Sequence, residues 1–130
     1  MVEQQLIDTL WILICSMLVF IMQPGFACLE SGLTRAKNTI NVAIKNLTDF
    51  GISSILFWAL GFGFMFGASH SGLIGSTHFF LSFDNHSWFT AFFLFELVFC
   101  GTSTTIISGA VAERMRFRAY LVTAAIVSCL

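Results

Sequence analysis

The sequence has few charged residues. It contains six Lys or Arg and seven Asp or Glu among 130 residues, so only 10% are charged, whereas a soluble domain carries about 25%. A net charge of -1 gives no reason to expect a nucleic-acid partner. One Pro and sixteen Phe exclude a disordered or collagenous chain. With 57% hydrophobic residues and a mean hydropathy of +0.88, the sequence is typical of a polytopic helical membrane protein.

The sequence also lacks the short motifs of common enzyme classes. It has no P-loop, no dinucleotide-binding glycine motif, no nucleophile elbow and no HExxH pair, so we expect no enzyme and no cofactor. We expect no metal, because the histidines lie in one loop without a cluster of acidic or thiol ligands. The cysteines lie in or beside apolar runs, which favours buried thiols. These residues are His70, His78, His86, Cys15, Cys28, Cys100 and Cys129.

Long uncharged runs predict membrane-spanning helices. Twenty-one uncharged residues lie between Asp8 and Glu30, and one span needs about 20. We predict an all-α bundle with spans at about 8–30, 40–67 and 88–112, and a fourth at 119–130 that is cut short. A helix over 119–130 would rise only about 18 Å through a hydrocarbon core of about 30 Å. We therefore expect residues 1–130 to be the N-terminal part of one transmembrane domain in a longer protein.

The basic residues predict the orientation of these spans. All of them fall between spans one and two, in the polar first turns of span two, or between spans three and four, and the N-terminal tail and residues 68–87 contain none. The positive-inside rule then predicts a multi-pass cell-membrane protein with its N-terminus outside. The basic residues are Arg35, Lys37, Lys45, Arg114, Arg116 and Arg118.

The third span carries an aromatic stripe and one acid. Phe92, Phe95 and Phe99 recur at three and four residues and share a helical face. This face is either lipid-facing bulk or an aromatic wall that attracts cations at the outer mouth of a pathway. Glu96 is the only ionisable residue within this span. It is either a structural acid near the interface or a group that attracts cations.

Small and polar residues predict how the helices pack. Gly101, Thr105 and Gly109 form a small-xxx-small ridge that lets another helix approach closely. Gly63 and Gly67 form a second such pair. A polar group surrounds the start of span two, and we interpret it as polar capping residues with cytoplasmic charge, in which Lys45 and Asp49 can pair. Its members are Asn38, Asn41, Lys45, Asn46 and Asp49, while Glu113 and Arg114 close span three in a similar way.

Two segments resemble a known family. Residues 22–38 read MQPGFACLESGLTRAKN, and residues 108–117 end a third span with SGAVAERMRF. In this order and at about this separation, they resemble the Amt/Mep/Rh family of ammonium transporters. The resemblance implies eleven helices per subunit in two inverted halves, a homotrimer, and a narrow hydrophobic pore in each subunit. It also implies that ammonium is attracted to an outer aromatic site and loses its proton, after which ammonia crosses the pore.

The resemblance assigns roles to three residues. By its spacing from residues 109–114, Phe99 matches the inner Phe of the outer gate, and Phe95 matches an aromatic wall of the recruitment site. Many members carry Gln where this chain has Glu96, so an acid at this mouth could strengthen cation binding or hinder release. The paired pore histidines of the family belong to later helices. In some members a PII-type signal protein contacts cytoplasmic loops and a tail that lie largely outside this chain.

These expectations give one function and two alternatives. We expect transport of ammonium across the cell membrane, with Phe95, Phe99 and Glu96 at the outer site. One alternative is an Amt-type ammonium sensor joined to a signalling output domain, in which the ligand shifts a conformation with little flux. The other is a structural membrane subunit, in which Phe99→Ala would leave ammonium handling unchanged.

Overall fold

The computed structural model describes residues 2–69, 74–81, 87–111 and 113–129, and in these residues the regular secondary structure is helical, apart from one isolated bridge between Ser69 and Gly75. This confirms the predicted all-α class. The helices are α1 (Val2–Leu33), α2 (Thr39–Leu56), α3 (Phe62–Phe66), α4 (Ser87–Ala110) and α5 (Phe117–Cys129); a 3-10 turn at Ala36–Asn38 precedes α2, and a π-helical turn at Phe57–Gly61 joins α2 to α3.

Three helical segments are long and apolar enough to cross a membrane. They are Glu3–Leu33, Ala36–Phe66 and Ser87–Ala110, with mean hydropathies of 2.2, 1.5 and 1.6. Charged residues are too few to interrupt these long apolar runs. The runs are helical because a helix satisfies every backbone polar group without water. The first helix extends past both ends of the predicted span 8–30. The apolar helix α5 is shorter, at 13 residues.

α4 lies at the centre of the packing. It contacts α1, α2 and α5, while α2 also contacts α1 and α5. The buried apolar cluster lies where the π-helical turn and α3 meet α4, and it comprises Phe57, Phe62, Leu81 and Phe93. The ring of Phe62 packs edge-on against Phe93, with centroids 5.2 Å apart. Edge-to-face pairs of this kind add about 0.5–1.5 kcal/mol to area burial.

The loop that follows α3 folds back onto the helices. The indole nitrogen of Trp58 donates to the Leu81 carbonyl at 3.2 Å, and the Phe80 amide donates to the Ala59 carbonyl at 3.1 Å. A Cβ on Gly63 would lie 2.7 Å from the Phe79 ring. The prediction that Gly63 and Gly67 receive another helix is therefore wrong, because the segment that approaches them closely is this loop.

The two segments that carry the basic residues lie at one end of the bundle. The Glu113 carboxylate accepts hydrogen bonds from the Arg35 amide at 3.1 Å and from the Asn38 side-chain amide at 2.8 Å. It also lies 3.9 Å from the Arg35 guanidinium. The α1–α2 and α4–α5 connections are thereby joined.

Candidate functional site

The predicted aromatic stripe on α4 divides into two parts. Phe92 stacks on Trp88 with ring centroids 5.4 Å apart, and it packs edge-on against Phe66 at 5.0 Å. Phe95 packs instead against Phe99, with centroids 4.8 Å apart at 65°. Phe92 thus belongs to an aromatic group where α3 meets the start of α4, and Phe95 and Phe99 form a separate pair one to two turns further along.

Phe95, Glu96 and Phe99 line one cavity of about 500 Å³. Phe99 is 43% exposed, and Phe95 and Glu96 are partly exposed, so their surfaces are available to a ligand or to a further segment. The other walls come from the π-helical turn, α3, α4 and α5: Phe57, Gly61, Met65, Cys100, Ser103, Val127 and Ser128. The volume is within the range of small-molecule sites.

The π-helical turn shapes the wall opposite Phe99. A Cβ on Gly61 would collide with the backbone oxygen of Ser128 and would lie 2.8 Å from the Phe57 ring. Only glycine therefore lets α5 approach this turn without displacing one of its neighbours. Single π-helical turns are frequent at functional sites, and this one brings Phe57 and Gly61 to the cavity wall. Nothing in the sequence pattern indicated this turn.

A polar seam joins α4 to α1 on the side away from the cavity. The Gln23 side chain donates to Thr102 at 3.3 Å and accepts from Thr105 at 3.1 Å. A Cβ on Gly101 would lie 3.0 Å from the Gln23 amide nitrogen, and one on Gly109 would lie 3.0 Å from Glu30. The small-residue ridge thus makes room for polar side chains of α1 that bind to α4. Hydrogen bonds of this kind hold helices together in lipid.

The seam ends in a cluster of buried charged and polar side chains, which we call the buried charge cluster. Its members are Glu30, Lys45, Asn46, Asp49, Ser108 and Tyr120. The Asn46 amide and the Ser108 hydroxyl donate to the same Glu30 oxygen, at 3.1 and 3.2 Å. The Lys45 ammonium lies 4.0 Å from the centroid of the Tyr120 ring, a cation–π distance. Asp49 and Tyr120 are both 0% exposed.

This cluster corrects our interpretation of the start of span two. Lys45, Asn46 and Asp49 are buried rather than a polar cap with cytoplasmic charge. Asn38 makes no side-chain capping hydrogen bond, because its amide donates to Glu113. Among the described residues the one direct ion pair joins Arg35 to Glu113, so Lys45 and Asp49 are not directly paired. Their spacing of four residues indicated a shared face, but their burial depends on Glu30 and Tyr120, which lie far away in sequence.

Glu113 is a polar anchor, as its position at the end of span three indicated. Its φ of 63° is unusual for a residue other than glycine. This conformation accompanies the hydrogen bonds that it accepts from the α1–α2 connection. The hydrogen bond from Asn38, followed by that from the Arg35 amide and the nearby basic charge, lowers the pKa of the Glu113 carboxyl.

The remaining polar groups do not form a metal site in the part of the chain that the structure describes. No group of three or more His, Cys, Asp or Glu side chains converges there. His78 packs against Phe89, with centroids 6.0 Å apart, and His70 and His86 lie outside the described residues. The four cysteines are free thiols. Cys28 is exposed rather than buried as predicted, and the other three are partly buried.

Comparison with known proteins agrees with this architecture. A sequence model described as the Ammonium Transporter Family matches residues 10–130. A Synechocystis protein is 59% identical over 94% of this chain and 23% of its own length. Ammonium transporter Amt2 of Archaeoglobus fulgidus is 48% identical over 94% of this chain and 26% of its own length.

A solved structure gives the same result. A protein titled "Sensor Amt Protein" superposes with a TM-score of 0.91 and 40% sequence identity, over 98% of this chain and 32% of that chain. This chain spans about a quarter of the length of the curated relatives named above. The matched residues include both of the segments whose sequences resemble the Amt/Mep/Rh family. The chain belongs to the ammonium transporter family.

Proposed function

We propose that the complete protein transports ammonium across the cell membrane and that the cavity of Phe95, Glu96 and Phe99 is part of its outer recruitment site. The observation that carries the proposal is that these three side chains line one cavity in a chain of this family. Two aromatic rings and a carboxylate attract a small cation by cation–π and charge interactions.

The same cavity supports passage of the neutral molecule. Beyond Glu96, its walls are mostly apolar side chains of the π-helical turn, α4 and α5. A bare cation is costly to place in such surroundings, whereas neutral ammonia is much less so. Ammonium would therefore give up its proton to water at or near Phe99, and ammonia would continue through the pore. A current then requires that the released proton cross the membrane separately. The pore residues that receive it would come from later helices.

The experiment uses the full-length protein in proteoliposomes. We expect a rapid ammonium jump to evoke a saturable current that an equal sodium jump does not evoke. If assembled protein gives no current, an uptake assay with labelled methylammonium distinguishes electroneutral flux from its absence. Absence of both would contradict transport and favour a sensor. Transport is preferred to sensing because Amt2, a named transporter, is 48% identical to this chain, whereas the titled sensor is 40% identical.

Assembly and orientation are further parts of the proposal. We expect a homotrimer, the N-terminus outside, and any PII-type signal protein to bind at the end that carries the basic loops. The contact between Glu113 and Arg35 supports placing both basic loops on one side of the membrane. Native mass of the purified full-length protein tests the trimer, and protease protection of an N-terminal tag in sealed vesicles tests the orientation.

A further inference from the structure

Four consecutive residues of α4 carry hydroxyl side chains, and one of them differs from the others in its surroundings. Thr102, Thr104 and Thr105 are buried, with exposures of 6%, 0% and 1%. Ser103 is exposed, and it lines the cavity that Phe99 also lines. Ser103 is therefore the member of this run that a small molecule in the cavity can reach.

Ser103 lies on the same helical face as two residues of the proposed recruitment site, but further along α4. Glu96, Phe99 and Ser103 are spaced three and four residues apart, so they share one face. At about 1.5 Å of rise per residue, Ser103 lies about 6 Å beyond Phe99 along the helix axis. In the proposed orientation α4 runs from the outer loop towards the basic end of the bundle, which places Ser103 on the inner side of Phe99.

The hydroxyl of Ser103 can accept a hydrogen bond from a molecule in the cavity. It donates its one hydrogen to the Phe99 carbonyl at 3.1 Å, and a hydroxyl oxygen has two further lone pairs that can accept. The other hydroxyl of the cavity wall belongs to Ser128, which is 2% exposed and donates to the Ala125 carbonyl at 3.1 Å. Among the described lining residues, Ser103 therefore offers the accessible hydroxyl oxygen.

A neutral ammonia molecule that passes Phe99 needs such an acceptor. Ammonia gives up its hydrogen bonds with water when it enters apolar surroundings, and this loss is costly unless other partners replace them. Most of the other wall residues are apolar, among them Phe57, Met65 and Val127. The Ser103 oxygen can accept one N–H of ammonia without adding a charge, so it compensates part of the loss and still permits release.

We propose that Ser103 is a substrate-binding residue on the inner side of Phe99, where its hydroxyl oxygen accepts a hydrogen bond from neutral ammonia. This inference rests on the proposed transport function and deepens it. Phe95, Glu96 and Phe99 act on ammonium before it gives up its proton, whereas Ser103 acts on ammonia afterwards. Ser103 should therefore influence the maximal rate of transport more than the ammonium concentration at half-saturation.

Two variants of the full-length protein in proteoliposomes test this role. Thr and Val have nearly the same shape, but only Thr keeps the hydroxyl, and a Thr in a helix can donate to the carbonyl four residues earlier as Ser103 does. At equal amounts of assembled protein, we expect maximal ammonium transport by Ser103→Val to be about two- to tenfold lower than by Ser103→Thr, the range that one hydrogen bond between neutral groups gives. Half-saturation should be the same in both variants.

Equal maximal transport by Ser103→Thr and Ser103→Val would overturn the proposal. A change in half-saturation alone would also overturn it, because Ser103 would then act at the outer site. If the parent protein itself gives neither current nor uptake, the proposed function fails and this inference fails with it, so the parent distinguishes the two failures.

A second pair of variants keeps the test decisive if valine at position 103 prevents assembly. Ser103→Ala removes the hydroxyl without adding volume, and we expect the same two- to tenfold loss of maximal transport, about the contribution of one neutral hydrogen bond. The matched control is Ser54→Ala, because the Ser54 hydroxyl donates to the Phe50 carbonyl at 2.6 Å but does not line the cavity. Equal losses in the two variants would show that removal of a helix-bonded hydroxyl, rather than of a substrate contact, slows transport.

Discussion

The two intramembrane acids Glu96 and Asp49 lie in opposite surroundings. Glu96 lines a cavity beside two half-exposed aromatic rings, whereas Asp49 is 0% exposed within the bundle. An acid at an open cavity can attract a cation that comes and goes. An enclosed acid must be satisfied permanently by its neighbours or by a proton. The chemical role of each carboxyl is thus set by its enclosure rather than by its residue type.

The largest expected effect comes from a substitution in the enclosed region, which is the buried charge cluster around Asp49. Lys45→Met would remove the ammonium that balances Glu30, leaving a buried charge without compensation. Such losses cost about 3–5 kcal/mol. We expect a matching fall in unfolding stability, measured by thermal unfolding of the full-length protein in detergent. Lys37→Met is the control, because Lys37 is exposed on the 3-10 turn. Equal losses in the two variants would show that the cluster does not depend on its ammonium.

The next largest effect comes from a substitution in the open region, which is the cavity lined by Phe95, Glu96 and Phe99. Phe99→Ala would remove one ring of the pair that packs at 4.8 Å, and a cation–π contact contributes about 0.5–2 kcal/mol. We expect apparent ammonium affinity or selectivity to change by about 2- to 30-fold, with trimer assembly intact, in the proteoliposome current. Ile106→Ala is the control, since Ile106 is exposed on α4 and does not line the cavity. Unchanged flux and selectivity would remove Phe99 from the gate.

A smaller effect distinguishes the two acids directly. Glu96→Gln would replace a partly exposed carboxylate with a neutral amide, and interactions of exposed charges contribute about 0.2–1 kcal/mol. We expect half-saturation for ammonium to rise about two- to fivefold, and the difference to shrink at high ionic strength because salt screens exposed charges. Asp49→Asn should leave half-saturation unchanged. If Glu96→Gln does not move it either, Glu96 is structural.

The sequence predicted the open region better than the enclosed one. The all-α fold follows from long uncharged runs, and the resemblance brought Phe95, Glu96 and Phe99 to attention. The ridge of Gly101, Thr105 and Gly109 correctly indicated close packing on α4. The buried charge cluster could not be predicted in the same way, because its burial depends on contacts between residues far apart in sequence.

The same limit explains two wrong expectations about individual residues. Gly63 looked like part of a helix-packing pair, but the loop over 74–81 covers it, and that loop has no periodic pattern to reveal its path. Cys28 lies in an apolar run, yet it is exposed on α1 because α1 has neighbours on only a small part of its surface. Local composition predicted that both residues belong to apolar helices, and long-range packing decided what touches them.

The smallest predicted effect concerns the acid outside both regions. The pKa of Glu113 is lowered by the Asn38 hydrogen bond and then by Arg35, so its ionised form stabilises the folded state. That contribution is present above the unfolded pKa of about 4.3 and is lost as pH falls through the lower folded value. We expect the unfolding temperature of Glu113→Gln to be slightly lower than that of the parent at pH 7. The two temperatures should become equal at a pH low enough to protonate Glu113.

Asn38→Ala separates this effect from a general loss of a surface contact. It removes the largest cause of the lowered pKa while keeping the Glu113 carboxylate and its contact with the Arg35 amide. We therefore expect the unfolding temperature of Asn38→Ala at pH 7 to lie between that of the parent and that of Glu113→Gln. A loss in Glu113→Gln that stays constant from pH 7 to below 4 would show that shape rather than charge makes this acid an anchor, since only the charged form can lose its contribution on protonation.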